Sequence, residues 1–351
     1  MSVAEEKTIF TVKRLSVKWL MRFLSWEPDK VLFILYMYFR YSLEERTNFY
    51  LERGYYMKRF RKLLAAGLAL SLLGLAGCGT TDSGSKAKST LETAKERGYV
   101  VVGFANEKPY AYQTPDGKLT GEAVEVARTA LKNMGISEMK GELTEFASLI
   151  PGLNAKRFDM ITAGMFINPE RAKEVDFANP EYSIGEAIAV KKGNPLNLHS
   201  YKDIAANPDV KIAVPGGAIE YDYLLKSGVP LKQIMTVPDM PAALSALQSG
   251  RADALTATGP SVQATLETAN NPDLERVMDF IQPVIDGKEV KGYGATAFRK
   301  DDKDFREAFN SEIQKLKESG ELLKIISQFG FTEQELPGDK TAEELSTPTD
   351  N

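Results

Sequence analysis

"RFDMITAGMFINPERAKEVDFANPEY", residues 157–182, is the stretch on which the reading of the fold turns. An apolar segment, "FDMITAGMF" (158–166), reads as a buried strand. A short loop follows, and Pro169 marks the first turn of a helix. Phe166 and Arg171 flank that loop, and neither residue type is an obvious choice for a solvated turn. An aromatic face and a guanidinium fork therefore stand a few residues apart, where a strand hands over to a helix.

The same alternation runs outward in both directions. "YVVVGFA" (99–105), "KGELTEF" (140–146), "VKIAVPG", "IMTVPD", "ADALTAT" and "RVMDFI" read as strands. Between them "GEAVEVARTALKNMG" places Ala123, Val124, Ala127, Ala130, Leu131 and Met134 on one helical face, with Gly135 as a stop. "MPAALSALQSG" reads as another helix, and Phe305, Phe309, Ile313 and Leu316 line a last strong one. Strands alternating with helices predict a parallel-rich α/β fold, in which ligands gather at the carboxyl ends of strands and at helix N-termini. "SIGEAIAVKKGNP" (183–195) and "GYGATAFRKDD" (292–302) read as two crossings of a chain that leaves one domain, builds a second and returns.

Composition narrows the function. The 351 residues are 43% hydrophobic and 26% charged, an ordinary globular balance, and the length suggests two domains. A net charge of −4 gives no basic field for nucleic acid. One cysteine and one histidine exclude an intrachain disulfide and leave His199, in "NPLNLHSYKD", reading as a surface residue. Metal sites and His-dependent catalysis are therefore not expected. "PGG" at 215–217 matches no phosphate-binding motif, and no cofactor is expected.

"MKRFRKLLAAGLALSLLGLAGCGTT" begins at Met57 with a positive region, runs apolar from Leu63 to Ala76, and ends on Gly77-Cys78. That is the layout of a secretory signal over residues 57–77. The apolar run is short for a bilayer span of roughly 20 residues. Its ending resembles the bacterial lipobox, which implies lipidation at Cys78 and a mature chain held at the outer face of the cell membrane. Residues 1–56 then read as an upstream extension from a misplaced start. Glu52-Arg53-Gly54 can be encoded by a purine-rich ribosome-binding sequence ahead of Met57. Residues 78–90 read as a flexible linker and 336–351 as a disordered tail.

The opening stretch resembles the solute-binding proteins of ABC importers, in the amino-acid-type branch. There a strand and glycine lead to "PER" and "VDF" followed by a proline and tyrosine. The resemblance spans roughly residues 90–335. It implies a periplasmic-binding-protein-like fold of type II: two α/β lobes joined by two hinge strands and closing on a ligand. The first lobe would comprise 91–190 with 292–335, and the second 191–291. "GFANEKPYAYQTPDGKLTGEAVEVAR", "LTEFASLIPGLNAKRFDMITAGMF" and "GYGATAFRK" are similar to the ectoine/hydroxyectoine-binding subfamily. That similarity implies a monomer that passes a small zwitterion to the permease's transmembrane subunits.

The candidate site residues follow from both sources. Arg171 offers a planar fork for a carboxylate, where a surface ion pair with Glu170 or Glu174 would contribute little. Tyr110, Phe146 and Phe166 follow or end strands and, singly, read as core; together, at positions where the subfamily places aromatics, they imply a cage for a delocalised cation. Each face contributes on the order of 0.5–2 kcal/mol when desolvated. Glu107 follows the first strand and can accept N–H bonds from a cationic ring. From the second lobe, Gly217 lets backbone approach the ligand, and Glu220 can join a charged group. Thr258 stands where amino-acid binders of this type commonly carry an aspartate for the ligand's α-ammonium. A compact, strongly hydrated ammonium prefers a fixed carboxylate, whereas an amidinium prefers flat aromatic faces. The sequence thus favours ectoine or 5-hydroxyectoine as ligand. A polar amino acid or another betaine-like solute is the second reading. A cyclohexadienyl dehydratase-like enzyme on the same fold is the third, and an enzyme is not expected.

Overall fold

The computed structural model describes residues 88–348; residues 1–56, the signal segment and Cys78 lie outside the described residues. Ser89 caps the first described helix, Thr90–Arg97, so the last two residues of the expected linker are part of a helix and its cap. Its side chain accepts the Glu92 N–H while Glu92 reaches back to the Ser89 N–H, a reciprocal cap that sets the helix start. Strand β1 (Tyr99–Phe104) follows, then a small hairpin of β2 (Tyr112–Gln113) and β3 (Leu119–Thr120). After the helix Glu122–Asn133 come β4 (Glu138–Leu143), β5 (Met160–Ile161) and β6 (Asp176–Phe177). The chain leaves through β7 (Tyr182–Ile184) and builds β8 (Glu186–Lys191), β9 (Ile212–Pro215), β10 (Ile234–Val237), β11 (Ala254–Thr258) and β12 (Leu274–Arg276). A second hairpin, β13 (Val284–Ile285) and β14 (Lys288–Glu289), leads back through β15 (Gly292–Gly294) and β16 (Ala297–Phe298).

Two five-stranded sheets result, ordered β4-β1-β5-β16-β6 and β10-β9-β11-β8-β12. In the first, β1 runs parallel to β4 and β5, and the returning β16 is antiparallel to β5 and β6. In the second, β9 is parallel to β10 and β11, while β8 is antiparallel to β11 and β12. Each sheet is apolar on both faces, as strands covered on both sides by helices require. The helix Glu122–Asn133 buries Ala123, Val124, Ala127, Ala130 and Leu131, and Lys303–Glu318 buries Phe305, Phe309, Ile313 and Leu316. Two lobes joined through β7 and β15, which pair antiparallel, make the periplasmic-binding-protein-like architecture.

Several elements differ from their expected bounds. The crossing is narrower than residues 183–195 and 292–302, because β8 already belongs to the second sheet and β16 to the first. The second lobe therefore begins near Glu186 rather than 191; an unbroken apolar run, "EAIAV", crosses the boundary without a compositional mark. Strand β4 stops at Leu143, and Phe146 opens a 3-10 turn, Phe146–Ser148, instead of ending the strand. Of "FDMITAGMF", Met160–Ile161 forms a strand and Phe166 makes a single antiparallel bridge to Gly294. "RVMDFI" keeps strand pairing only to Arg276, and Met278 and Ile281 are exposed. The expected disordered tail instead carries a helix, Ala342–Ser346, capped by the Thr341 hydroxyl. Ala342 is buried, and its N–H donates to Asn179 Oδ1 at 3.0 Å. One apolar pair, Ala342 and Leu345, seats the segment although its surroundings are polar.

Candidate functional site

The parallel strands of both sheets end facing one recess. Glu107 and Tyr110 follow β1, Phe166 follows β5, and Phe146 lies three residues beyond β4. Gly217 and Glu220 follow β9, and Thr258 closes β11. Glu107, Tyr110, Phe146, Phe166 and Arg171 from the first lobe and Glu220 and Thr258 from the second border this recess. It takes in about 420 Å³, the open solvent at its mouth included. Gly217 is not part of this lining; its carbonyl accepts from the Arg171 guanidinium instead.

The aromatic wall is a packed unit. Tyr110 is buried and stacks on Tyr182, with ring centroids 5.1 Å apart and planes 23° from parallel. Phe166 meets Tyr182 at 6.2 Å, and Phe331 closes against both tyrosines from behind. Offset contacts of this kind fix the rings and contribute beyond their buried area. The Phe166 ring lies where a side chain on Gly292 would have to stand: a Cβ there would come 1.7 Å from Phe166 Cε2. The glycine of the returning hinge strand thus makes the space in which the ring sits. Tyr182 was not singled out in the sequence, because a tyrosine ending "NPEY" gives no sign that it enters the hinge. Its hydroxyl donates to the Gly164 carbonyl at 2.8 Å, which ties the hinge to the loop after β5.

Arg171 sits in the helix Pro169–Glu174, whose N-cap, Asn168, accepts the Arg171 backbone N–H at 2.8 Å. Its guanidinium donates through Nη1 to the Phe166 carbonyl at 2.7 Å and through Nη2 to the Gly217 carbonyl at 2.9 Å. One fork thereby spans both lobes. The guanidinium carbon stands 5.4 Å from the Phe146 ring centroid, a cation–π distance. Burial lowers the Arg171 pKa and the Glu220 charge works against that change; the ordinary value lies high enough that the group stays charged. Glu170 pairs with Lys173 and not with Arg171, so the surface ion pair is elsewhere. Gly217 holds φ at +78°, a conformation glycine adopts freely, and a Cβ there would press to 2.9 Å from Ala147 Cα in the first lobe.

Thr258 serves twice. Its hydroxyl oxygen lies 2.6 Å from the Tyr110 hydroxyl, joining the lobes across the recess, and it accepts the Ser261 N–H as the cap of Gly259–Ala269. Carboxyl groups supply the opposite polarity. Burial pushes Glu107 up to about 7; the nearby Ser261 hydroxyl opposes the rise and the Glu220 charge adds to it. Glu220 is 4% exposed at the head of the helix Glu220–Lys226. Behind it lies Glu186, the first residue of β8, which the sequence reading missed; nothing in "SIGEAIAV" marks it as facing a site. The recess therefore offers a guanidinium, flat aromatic faces and carboxyls within one enclosure. That set suits a small ligand carrying both charges. His199 lies elsewhere, its ring nitrogen Nδ1 2.9 Å from Asp279 Oδ1. Among the described residues, no group of three His, Cys, Asp or Glu side chains could hold a metal ion.

The model of bacterial extracellular solute-binding proteins, family 3, matches residues 100–333, both lobes and the hinge between them. The chain belongs to that family. This solute-binding protein is 38% identical over 260 residues to a probable amino-acid ABC transporter periplasmic-binding protein, y4tE, of Sinorhizobium fredii, covering 73% of this chain and 85% of the relative. Its fold is similar to the crystal structure of EhuB in complex with hydroxyectoine, with a TM-score of 0.68 and 39% identity over 75% of this chain and all of that one. It is also similar to an ancestral amino-acid-binding protein described as a precursor of cyclohexadienyl dehydratase. The TM-score there is 0.60 and the identity 28%, over 69% of this chain and 99% of the other. Among the described residues of this binding protein, no helix is long and apolar enough to cross a membrane.

Proposed function

We propose that this binding protein captures ectoine or 5-hydroxyectoine outside the cell membrane and delivers it to the transmembrane subunits of an ABC importer. One observation carries the reading. Arg171 lines a recess together with Tyr110, Phe146 and Phe166, and the carboxyl-bearing Glu107 and Glu220 line it too. Ectoine is a cyclic amidinium carboxylate. Its carboxylate matches the guanidinium fork, and its ring, with the charge spread over a plane, matches the π faces and a carboxylate edge. Thr258, engaged with Tyr110, leaves no carboxylate at the position that would hold a compact α-ammonium. The likeness to EhuB with hydroxyectoine and to the amino-acid ABC transporter protein supports the ligand class and the importer.

Capture is a matter of closure. Ligand bridging Arg171 and Glu220 stabilises the lobes together and shifts an open–closed equilibrium toward the closed form. The protein acts without turnover in this account, as a monomer, and a lipid on Cys78 holds it at the outer face of the membrane. Thermal-shift titration with ectoine, 5-hydroxyectoine, proline betaine, histidine and glutamine tests the ligand. The first two should raise the melting temperature at the lowest concentrations; histidine or glutamine acting ahead of them would overturn the assignment. Conversion of prephenate or arogenate by the purified protein would overturn the non-enzymatic reading.

A further inference from the structure

Glu186 is 2% exposed, and neither of its carboxylate oxygens has a hydrogen-bond partner. Its place is fixed from outside. Its backbone N–H donates to Gln282 Oε1 at 2.7 Å, and its carbonyl accepts from Gln282 Nε2 at 2.8 Å. In the sheet it stands opposite Thr258, the residue that borders the recess. Glu220, another buried carboxyl, lines the recess with Thr258 and is the charge that acts most strongly on Glu186. Two carboxylates offer only acceptors to one another. A hydrogen bond between them exists only when one carries a proton, and two bare charges so close and so dry repel strongly.

We propose that Glu186 and Glu220 share one proton in the ligand-free protein, and that the cationic part of the ligand displaces it. Glu186 then selects for charge without touching the ligand: a positive group in the recess lets both carboxyls ionise, and a neutral one leaves them paired through the proton. The displaced proton leaves to solvent. The displacement step rests on the ligand class proposed above, whereas the shared proton does not.

The groups facing the pair allow this assignment. Glu107, across the recess, is a third carboxyl and adds negative charge. Tyr110, Tyr201 and Tyr223 feel the Glu186 charge, and each is pushed up and held neutral chiefly by burial. The Tyr201 hydroxyl is already engaged with Thr256 Oγ1 at 2.6 Å. Arg171 is the cation that faces Glu220, and its fork is turned to the carbonyls of Phe166 and Gly217. Burial first, and then the Glu220 charge, raise the Glu186 pKa well above the ordinary carboxyl value.

Infrared difference spectroscopy of the ligand-free protein at pH 7 tests the shared proton. Wild type should show one more protonated-carboxyl carbonyl band than Glu186→Gln, whose amide can donate permanently to Glu220. Glu220→Gln should remove the same band and serves if the first variant folds poorly. Identical carboxyl bands in wild type and both variants would overturn the proposal. Calorimetry with ectoine in buffers of different protonation heat tests displacement. Wild type should release a proton that Glu186→Gln does not, and its affinity should rise with pH by up to about tenfold per unit more steeply than the variant's below the pair's pKa. Equal proton release in the two would overturn the displacement. Ectoine failing to bind would overturn the proposed ligand and the displacement together, and the ligand-free spectrum would still decide the proton.

Discussion

Arg171 spends guanidinium donors on the carbonyls of Phe166 and Gly217, so the fork is oriented before any ligand arrives. A preoriented fork loses little freedom on meeting a carboxylate, and its charge-assisted bonds are stronger than neutral ones. Arg171→Ala should weaken ectoine binding by at least about 2 kcal/mol in calorimetry. Arg171→Lys should recover only part of it, because an ammonium keeps the charge and loses the planar geometry. Near-wild-type affinity in the alanine variant would remove Arg171 from the site. Gly292 makes the complementary case for packing. Adding one methyl at Gly292→Ala drives a Cβ into Phe166, and overpacking of this kind costs about 1–3 kcal/mol. Urea unfolding should show that loss, with weaker ectoine binding because the Phe166 ring is displaced.

The hinge strand β7 begins beside a second buried carboxyl pair, Glu181 and Glu122, and this gives the element its own pH dependence. Both are fully buried. Glu181 Oε1 accepts from the Thr296 N–H at 3.1 Å and from its hydroxyl at 2.7 Å, while both Glu122 oxygens lack partners. Burial raises both pKa values above the ordinary carboxyl range, and the Glu181 charge raises Glu122 further. A carboxyl raised on folding favours the folded state while protonated. The sign therefore runs downward: stability is full below about 4.5 and is lost as pH rises through about 7. Melting temperatures at pH 5 and pH 8 should differ by more in wild type than in Glu181→Gln; equal differences would contradict this. Legibility in the sequence divides along the same line. The helices with a continuous apolar face, Glu122–Asn133 and Lys303–Glu318, were readable because 3.6-residue spacing and burial coincide. The narrow crossing at Gly185, the early end of β4 and the helix Ala342–Ser346 were not. Each is decided by partners far along the chain: Gln282 for Glu186, the first sheet for Phe146, Asn179 for Ala342. The residues that line the recess follow strand ends, but the expectation that they share one site came from the family resemblance, since each aromatic alone reads as core. Tyr182 in the hinge strand and Glu186 at the head of β8 escaped because nothing in their sequence surroundings marks them as facing the recess.

Across the molecule, named contacts join the lobes at the recess. The Tyr110 and Thr258 hydroxyls meet, the Arg171 fork reaches Gly217, and Gly217 packs on Ala147. In the function proposed above, a ligand held between the lobes adds to these contacts and favours the closed form. Tyr110→Phe removes one of those bridges and keeps the ring. It should leave the aromatic face intact and lower ectoine affinity by about 1 kcal/mol, read as faster dissociation in stopped-flow fluorescence. The most direct measurement of the central claim is a crystal structure with ectoine bound. The ligand carboxylate should lie on the Arg171 guanidinium and the ring between Tyr110, Phe146 and Phe166. A ligand bound with its ring away from these three, or with its carboxylate on another residue, would contradict the account.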